Sequence, residues 1–487
     1  MVNSLLTKST IETEIKPTII NFKDVTFQFP EDEVPIFRNI TFSILAGERV
    51  VLYGPSGCGK STLLYLINRL YPDNCDGELE GFISLWDKNA ATYAAGEINR
   101  RIATVFQDPD TQFCMPTVEQ EMAFTLENLH VSRLEMEQRI TSTLEMTGLS
   151  DIRHSTIQTL SGGMKQRVAT ACAILMEPEV LLLDEPLAHL DPLTAQHYVE
   201  WLDALQFSHA LTIIAIEHRL DVWGTFFNRA VYVTTSGTFS IEENPTRSPI
   251  VFPKRKSTIE PEIAFEASDV SVHVKDKQLL NNISLSLKRG EIAVLAGPNG
   301  SGKSTFLKTV CGILKKSQGR IESGNKLPGY VPQSPEHLFV TQLIAEEIRF
   351  SNHANEEEIS DIMTRLRLNE IRHAHPFAVS HGQKRRVAIG AMLADKRPVL
   401  LLDEPTSGQD AAALLELFHL IDARAKEGLA VLIVTHDMTF ASAIADTVFL
   451  INNGELSGRF KNDVLWQQTN LLNHHQLVSP NGGISHV

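Results

Sequence analysis

Short, almost continuously apolar runs recur along the chain. Two of them, RVVLYG from Arg49 and EIAVLAG from Glu291, stop at a glycine-rich loop, and helical patterns such as STLLYLINRL follow these loops. Others, EVLLLDE, PVLLLDE, LTIIAIEH and AVLIVTH, have the length of a strand and no polar alternation. Strands of this kind are buried on both faces, as in a parallel sheet covered by helices. The pattern predicts an α/β fold.

The same motifs occur twice in the same order, so the chain is a tandem duplication rather than a solenoid. GPSGCGKST returns as GPNGSGKST, TLSGGMKQRVA as VSHGQKRRVA, and EVLLLDEP as PVLLLDEP. We expect a first domain at 19–241 and a second at 263–460. A linker rich in Pro, Ser and charge is expected at 242–262, with flexible ends at 1–18 and 461–487.

Composition narrows the functional classes. The chain has 487 residues and a formal charge of −15 (44 − 59), which disfavours a surface that coats nucleic acid. No apolar run approaches the ~18–20 residues of a membrane helix, and the start lacks the pattern of a secretory signal. We expect a chain that neither spans a bilayer nor is secreted by that route. The five cysteines have no C-x-x-C spacing and predict neither disulfides nor a zinc site.

Both glycine loops match G-x-x-x-x-G-K-[ST] between a strand and a helix. Glycines let backbone N–H groups surround phosphates, and the helix start favours an anion. Lys60 and Lys303 are expected to reach the β- and γ-phosphates, and Ser61 and Ser304 to hold magnesium. The nucleotide-binding positions of the first domain are Gly54, Pro55, Ser56, Gly57, Cys58, Gly59, Lys60, Ser61 and Thr62. Those of the second are Gly297, Pro298, Asn299, Gly300, Ser301, Gly302, Lys303, Ser304 and Thr305.

An acidic pair closes one buried strand in each domain. Asp184 and Asp403 end the strand and are expected to bind the magnesium, directly or through water. Glu185 and Glu404 follow them and are expected to polarise an attacking water.

A histidine and a glutamine also recur at strand ends. His218 and His436 follow the aspartates by 34 and 33 residues (218 − 184 and 436 − 403), which favours a contact with the γ-phosphate over a purely structural role. Gln107 and Gln333 follow the runs RIATVF and PGYVP. A glutamine alone indicates little, so its role depends on the motifs around it.

Taken together, the Walker A loops, the Q-loop glutamines, LSGGM, LLLDEP and the H-loop histidines resemble ATP-binding cassette (ABC) ATPase domains. The resemblance implies two tandem domains, each a RecA-like P-loop core with a small antiparallel β subdomain and a helical signature subdomain. It implies an ATPase with ATP and Mg²⁺ as cofactors. The catalytic positions it implies are Glu185, Glu404, His218, His436, Gln107 and Gln333. The metal positions it implies are Ser61, Asp184 and Gln107, and Ser304, Asp403 and Gln333.

The resemblance further implies that the two halves pair head to tail within the chain. The first site, built on Lys60, would be capped by Ser380, His381, Gly382 and Gln383. The second site, built on Lys303, would be capped by Ser161, Gly162, Gly163 and Met164. Asp191 and Asp410 occupy the D-loop places that cross the interface. Phe29 fits the place of the aromatic residue that stacks on adenine, and Val274 departs from it in the second half.

The two signature motifs differ. VSHGQ places His381 where the family has its first glycine. A Cβ at this position is expected to restrict the backbone or crowd the phosphate. We therefore expect both sites to bind ATP and the first site to turn over more slowly.

Four segments resemble the energy-coupling-factor branch, which serves cobalt and vitamin uptake: VFQDPDTQF, TVEQEMAFTLENL, AIEHRLD and PFAVSHGQKRRVAIG. This resemblance implies a subunit that powers import of a vitamin, a vitamin precursor or a transition-metal ion. Its partners would be an integral membrane coupling subunit, whose arginine-bearing helices dock near the Q-loops, and a substrate-binding membrane subunit, with no nucleic acid. The chain would then lie on the cytoplasmic face of the cell membrane as a peripheral protein.

Two alternatives stay open. Val118, Met122, Leu126 and Leu129 form one helical stripe, which fits a core face and a partner-facing surface equally well. A soluble twin-cassette ATPase that acts on ribosomes or nucleic acid is the second functional class. A linker of about 20 residues with four prolines disfavours the translation factors, which carry a long charged helical linker.

Overall fold

The chain folds into two domains of the same architecture, as the repeat predicts. The computed structural model describes residues 16–30, 33–55, 57–94, 96–188, 190–209, 211–217, 220–234, 236–243, 250–275, 277–324, 326–351 and 353–480.

The first domain extends from β1 to β10. Its strands are β1 (Thr18–Gln28), β2 (Phe37–Leu45), β3 (Arg49–Tyr53), β4 (Glu78–Leu85), β5 (Lys88–Asn89), β6 (Ile102–Val105), β7 (Val180–Asp184), β8 (Thr212–Ile216), β9 (Arg229–Val233) and β10 (Phe239–Glu243). Its helices are α1 (Lys60–Ile67), α2 (Leu70–Asp73), α3 (Val118–Asn128), α4 (Arg133–Thr147), α5 (Gly162–Leu175), α6 (Pro192–His209) and α7 (Leu220–Trp223).

The second domain repeats this order with a shorter helical part. Its strands are β11 (Ile263–Val274), β12 (Lys277–Lys288), β13 (Ile292–Ala296), β14 (Gln318–Glu322), β15 (Gly329–Val331), β16 (Val399–Asp403), β17 (Ala430–Val434), β18 (Thr447–Asn452) and β19 (Glu455–Lys461). Its helices are α8 (Lys303–Val310), α9 (Ile344–Arg349), α10 (Glu356–Arg365), α11 (His381–Ala394), α12 (Ala411–Lys426), α13 (Met438–Ile444), α14 (Asn462–Leu465) and α15 (Thr469–His474).

Each domain combines a mostly parallel sheet with a smaller antiparallel one. Among the described strands, the large sheets have the orders β10-β9-β3-β8-β7-β6 and β15-β16-β17-β13-β18-β19, and β10 and β19 are their antiparallel edge strands. The small sheets have the orders β2-β1-β4-β5 and β12-β11-β14. All five residues of β7 and of β16 are buried, because helices and the small sheet cover both faces. The carboxyl ends of the parallel strands therefore meet at one edge of each large sheet.

The stripe on α3 is a core face. Val118, Met122 and Leu126 are fully buried, and Leu129 packs against the same cluster. This cluster also contains residues of α4 and α5, such as Leu144 and Val168, so it holds the helical subdomain together. Three of the four stripe residues are therefore unavailable to a partner, whereas the half-buried Leu129 also lines a groove at the surface.

No helix in the described ranges is both long enough and apolar enough to cross a membrane.

The described part of the predicted linker packs against the second domain. Residues 250–262 form no strand or helix, and 244–249 lie outside the described residues, as do 1–15. The ring of Phe252 lies 5.6 Å from the rings of both Phe418 and Phe440. The Arg255 side chain is only 4% exposed and forms ion pairs with Asp422 (2.9 Å) and Asp446. These contacts hold the linker on α12 and on the start of β18.

The expectation of a flexible tail from residue 461 is wrong for residues 462–480. This segment contains α14 and α15, and Leu465, Leu472 and Leu477 are each 0–1% exposed within the core of the second domain. Residues 481–487 lie outside the described residues. The apolar positions of this segment are spaced irregularly, which hid them among its polar residues.

If this segment is part of the core, Leu472→Ala should lower the free energy of unfolding by about 2–4 kcal/mol, because it removes buried methyl groups and leaves a cavity. Guanidinium denaturation followed by circular dichroism would measure the change. Asn473→Ala changes an exposed neighbour and is the control. Equal stability of the two variants would contradict the assignment.

Candidate functional site

The two P-loops connect β3 to α1 and β13 to α8. Gly59 and Gly302, which precede these helices, have φ values of 93° and 105°. A Cβ on Gly59 would lie 2.4 Å from Cγ2 of Ile36, so the turn requires glycine for both its conformation and its packing. Lys60 and Lys303 are the first residues of the helices. Ser56, which was predicted to belong to the first loop, lies outside the described residues.

The P-loop lysines are buried and bend back over their own loops. Nζ of Lys60 donates to the carbonyls of Gly54 (3.1 Å) and Pro55 (2.9 Å). Nζ of Lys303 donates in the same way to Gly297 and Pro298, at 2.7 Å each. Each loop therefore holds a cation next to the free N–H groups of a helix start, which is an arrangement that suits an anionic phosphate.

A hydroxyl and a carboxylate lie beside each P-loop. Oγ of Ser61 is 3.4 Å from Oδ1 of Asp184, and Oγ of Ser304 is 3.1 Å from Oδ1 of Asp403. Burial, with the neighbouring Glu185, raises the pKa of Asp184 to about 7. Burial likewise raises the pKa of Asp403. Buried oxygen ligands of this kind fit Mg²⁺, whose charge would stabilise the ionised carboxylates.

The glutamates that follow these aspartates have strained backbones. Glu185 and Glu404 have φ values of 44° and 54°, in the left-handed region that non-glycine residues rarely adopt. Such strain is typical of functional positions. It occurs at the same place in both domains.

Both glutamates accept hydrogen bonds from neighbouring groups. Oε2 of Glu185 accepts a hydrogen bond from Nε2 of Gln107 at 2.8 Å. Oε2 of Glu404 accepts one from the backbone N–H of His436 at 3.1 Å, and its Oε1 lies 3.2 Å from Nε2 of the same histidine. Burial and the charge of Asp403 raise the pKa of Glu404 to about 8. His218, the counterpart of His436, lies outside the described residues.

Residues of both halves line the second site. A cavity of about 560 Å³ brings the P-loop of the second domain together with the signature helix of the first. Its lining includes Gly162, Lys165, Gly300, Lys303, Ser304, Thr305, Gln333, Asp403, Glu404 and His436. Burial lowers the pKa of Lys303, while Glu404 and Asp191 favour its charged form. Asp191 belongs to the first domain, so its D-loop position reaches across the interface.

The first site shows the reciprocal contact. Nε2 of Gln383, on the signature helix of the second domain, lies 3.4 Å from the position that a Cβ on Gly57 would occupy. Burial raises the pKa of Cys58, and the carboxylate of Asp410 in the other domain adds to the rise. Oγ of Ser407 donates to the carbonyl of Ala188 at 3.5 Å. The head-to-tail arrangement therefore occurs at both sites.

The signature serines cap helices. Ser161 precedes α5 and accepts a hydrogen bond from the N–H of Met164, while Ser380 precedes α11 and accepts one from that of Gln383. Each hydroxyl keeps its proton for donation to a ligand. Gly163 packs against α6, where a Cβ would lie 2.2 Å from Cγ2 of Thr194.

His381 does not strain the second signature loop. It is the first residue of α11 and takes up helical geometry, so the expected restriction of its backbone is wrong. Its Nε2 lies 3.1 Å from Nη2 of Arg385. The signature loop therefore keeps its conformation with a histidine at this position, because the first residue of a helix can carry a side chain.

Phe29 lies in an aromatic cluster at the end of β1. Its ring is 5.4 Å from that of Tyr71 and 5.1 Å from that of Phe27. Val274, at the end of β11, is 45% exposed. Only the first half thus has an aromatic ring at this position.

Two residues near the second site were missed by sequence reasoning. The hydroxyl of Tyr330 donates to Oδ2 of Asp403 at 3.2 Å, and Arg385 contacts the backbone beside Gln333 and Glu404. Tyr330 is an ordinary strand residue in sequence. Arg385 could have been noticed, because the first repeat has Gln166 at the same place.

Comparison with known proteins agrees with this geometry. The family model described as "ABC transporter" matches residues 37–188 and 280–407. The protein of Bacillus subtilis (strain 168) named "Putative HMP/thiamine import ATP-binding protein YkoD" is 36% identical, over 95% of each chain. A "Putative ABC transporter ATP-binding protein" of Clostridium perfringens (strain 13 / Type A) is 30% identical over 90% of each chain.

Among solved structures, the archaeal ribosome recycling factor aABCE1 in complex with the stalk protein aP1 has a TM-score of 0.64 at 21% identity. The match covers 93% of this chain and 92% of that one. At this identity the likeness concerns the fold alone, and it confirms the tandem arrangement. The chain therefore belongs to the ABC transporter family, as an ATP-binding protein and ATPase with two fused cassettes.

Proposed function

We propose that the chain hydrolyses ATP at two composite sites and thereby powers an importer of the energy-coupling-factor type. The observation that carries the first part is the cavity in which the P-loop of one domain faces the signature helix of the other. ATP bound there would contact both halves at once, so its binding would hold them together and its hydrolysis would release them.

At each site the chain's own residues divide the work. Lys60 and Lys303 bind the phosphates together with the loop N–H groups. Ser61 with Asp184, and Ser304 with Asp403, hold Mg²⁺, which neutralises developing negative charge when bound.

The strained glutamates orient the water. Glu404, which accepts a hydrogen bond from the backbone N–H of His436, and Glu185, which accepts one from Gln107, would each supply the carboxylate that polarises the attacking water. His218 has the corresponding role in the first site by its position in the repeat. Gln107 and Gln333 would be further ligands of Mg²⁺. Ser161 and Ser380 would donate hydrogen bonds to the γ-phosphate that is bound by the opposite half.

A groove beside the Q-loop supports the membrane partner. It lies between α3 and the segment after Gln107 and is lined by Gln112, Phe124, Thr125 and Met176. Glu97 and Arg100 also line it, and the exposed carboxylate of Glu97 could face a basic side chain of the partner. In the second domain, Phe350 directly follows α9 at the place that corresponds to Phe124, and it is 65% exposed. We infer that helices of an integral membrane coupling subunit dock here, at the cytoplasmic face of the membrane.

The cargo is a vitamin, a vitamin precursor or a transition-metal ion, bound by a separate membrane subunit. The name of the Bacillus subtilis relative refers to HMP/thiamine import, which favours the vitamin or precursor class. The wide coverage of both chains supports the transfer of this role.

Glu404→Gln should reduce the ATPase rate by about tenfold or more, because it removes the base of the faster site. Glu185→Gln should reduce the rate by less than about twofold, because His381 adds bulk to the cap of the first site. Steady-state phosphate release from the purified chain would measure both. Equal losses in the two variants would show that the sites are equivalent.

Thr125→Arg should fill the groove and lower recovery of a multi-span membrane protein by about tenfold. The measurement is affinity purification of the tagged chain from detergent-solubilised membranes, with the ATPase rate of the isolated chain unchanged. Leu134→Arg is the matched control, since Leu134 is 78% exposed on α4 and away from the groove. Recovery of ribosomes without a membrane protein would overturn the importer proposal in favour of a soluble twin-cassette ATPase.

A further inference from the structure

Arg385 is a buried cation that the proposed reaction does not use. Its side chain is fully buried on α11, about one turn after the start of the helix. Burying a guanidinium is costly unless its N–H groups are satisfied. Burial lowers the pKa of Arg385 to about 10, so the group stays charged at neutral pH.

The contacts of Arg385 join three parts of the second site. Nη1 donates to the carbonyl of Glu404 and to that of Ser407 (3.1 Å). Nη2 donates to the carbonyl of Gln333 at 2.6 Å. The planar fork thus holds the Q-loop, the strained glutamate and the D-loop segment in one geometry.

The same guanidinium also contacts the cap of the first site. Its Nη2 is 3.1 Å from Nε2 of His381, one turn earlier on α11. On this turn, Gln383 approaches Gly57 of the first P-loop. The charge of Glu185, the glutamate of the first site, also favours the charged form of Arg385. Arg385 therefore contacts both the second site and the turn of α11 that faces the first P-loop.

Among its described residues, the first half shows no equivalent connection. Gln166 occupies the corresponding place on α5, and its Nε2 has no hydrogen-bond partner among the described residues. His381 and Arg385 are both departures from the first repeat, Gly162 and Gln166, and they contact each other. The two changes form one unit.

We propose that Arg385 is a positioning residue that transmits ATP binding at the first site to catalysis at the second. When the first P-loop closes on its nucleotide, the cap that contains His381 and Gln383 is fixed. Arg385 then fixes the carbonyls of Gln333 and Glu404, and with them the carboxylate that orients the water. The inference rests on the two composite sites proposed above.

A mutant cycle in the full-length chain tests this proposal. All variants carry Glu185→Gln, so that turnover reports the second site, and Lys60→Ala removes nucleotide binding at the first. With Arg385 present, Lys60→Ala should lower kcat by about tenfold or more. In the Arg385→Gln background the same change should lower kcat by less than about threefold, because the connection is already broken. KM for ATP at the second site should change by less than about twofold, since Arg385 does not touch the nucleotide.

Arg386→Gln is the matched control. Arg386 is the next residue on the same helix, is 7% exposed, and contacts Gln409 rather than the second site. In that background Lys60→Ala should keep its full effect. If Arg385→Gln does not fold, His381→Ala takes its place in the cycle. His381→Ala removes the contact with Arg385 but keeps the arginine, and it should likewise reduce the effect of Lys60→Ala on kcat.

The outcomes separate the two proposals. An equal effect of Lys60→Ala in all backgrounds would overturn the role of Arg385, and so would equal behaviour of Arg385→Gln and Arg386→Gln. Adding Glu404→Gln should abolish the remaining turnover. If it does not, the assignment of the second site fails, and the role of Arg385 fails with it.

Discussion

Each P-loop in this molecule meets the signature helix of the other half, and the rest of the structure depends on that contact. A P-loop lysine is buried where it meets the facing domain, and Asp191 from that domain favours the charge of Lys303. The same contact brings Gln383 to Gly57. Because each site needs atoms from both domains, the nucleotide acts on the interface itself rather than on one cassette.

Duplication allowed the two sites to diverge while the fold stayed the same. The signature helix carries a neutral Gln166 in one half and, in the other, a buried Arg385 whose two terminal nitrogens donate to the carbonyls of Glu404, Ser407 and Gln333. Both sets of contacts are compatible with one backbone, since the strands and helix starts that place them are unchanged. Sequence differences at a few buried positions are therefore enough to give the sites different properties.

Local motifs predicted the positions that depend on backbone geometry. Local backbone geometry fixes the positions of Gly59 and Gly302 in the turns before the helices. It also fixes the aspartates at the ends of β7 and β16. Contacts between distant side chains were not predictable in this way. The spacing of Val118 and Met122 is compatible with a core face and with a partner-facing surface, and only their packing against α4 and α5 distinguishes the two. The replacement of the signature glycine by His381 predicted backbone strain, whereas the start of α11 accommodates a histidine in helical geometry.

The linker sets a limit on how far the two halves can separate. Residues from Ile250 onwards pack on the second domain, and β10 of the first ends at Glu243, which leaves seven Cα–Cα steps (250 − 243) between them. Seven residues span at most about 25 Å when fully extended. At this edge the domains can therefore hinge but cannot dissociate. Re-formation of the nucleotide sites is an intramolecular event, so the ATPase rate per chain should not depend on protein concentration.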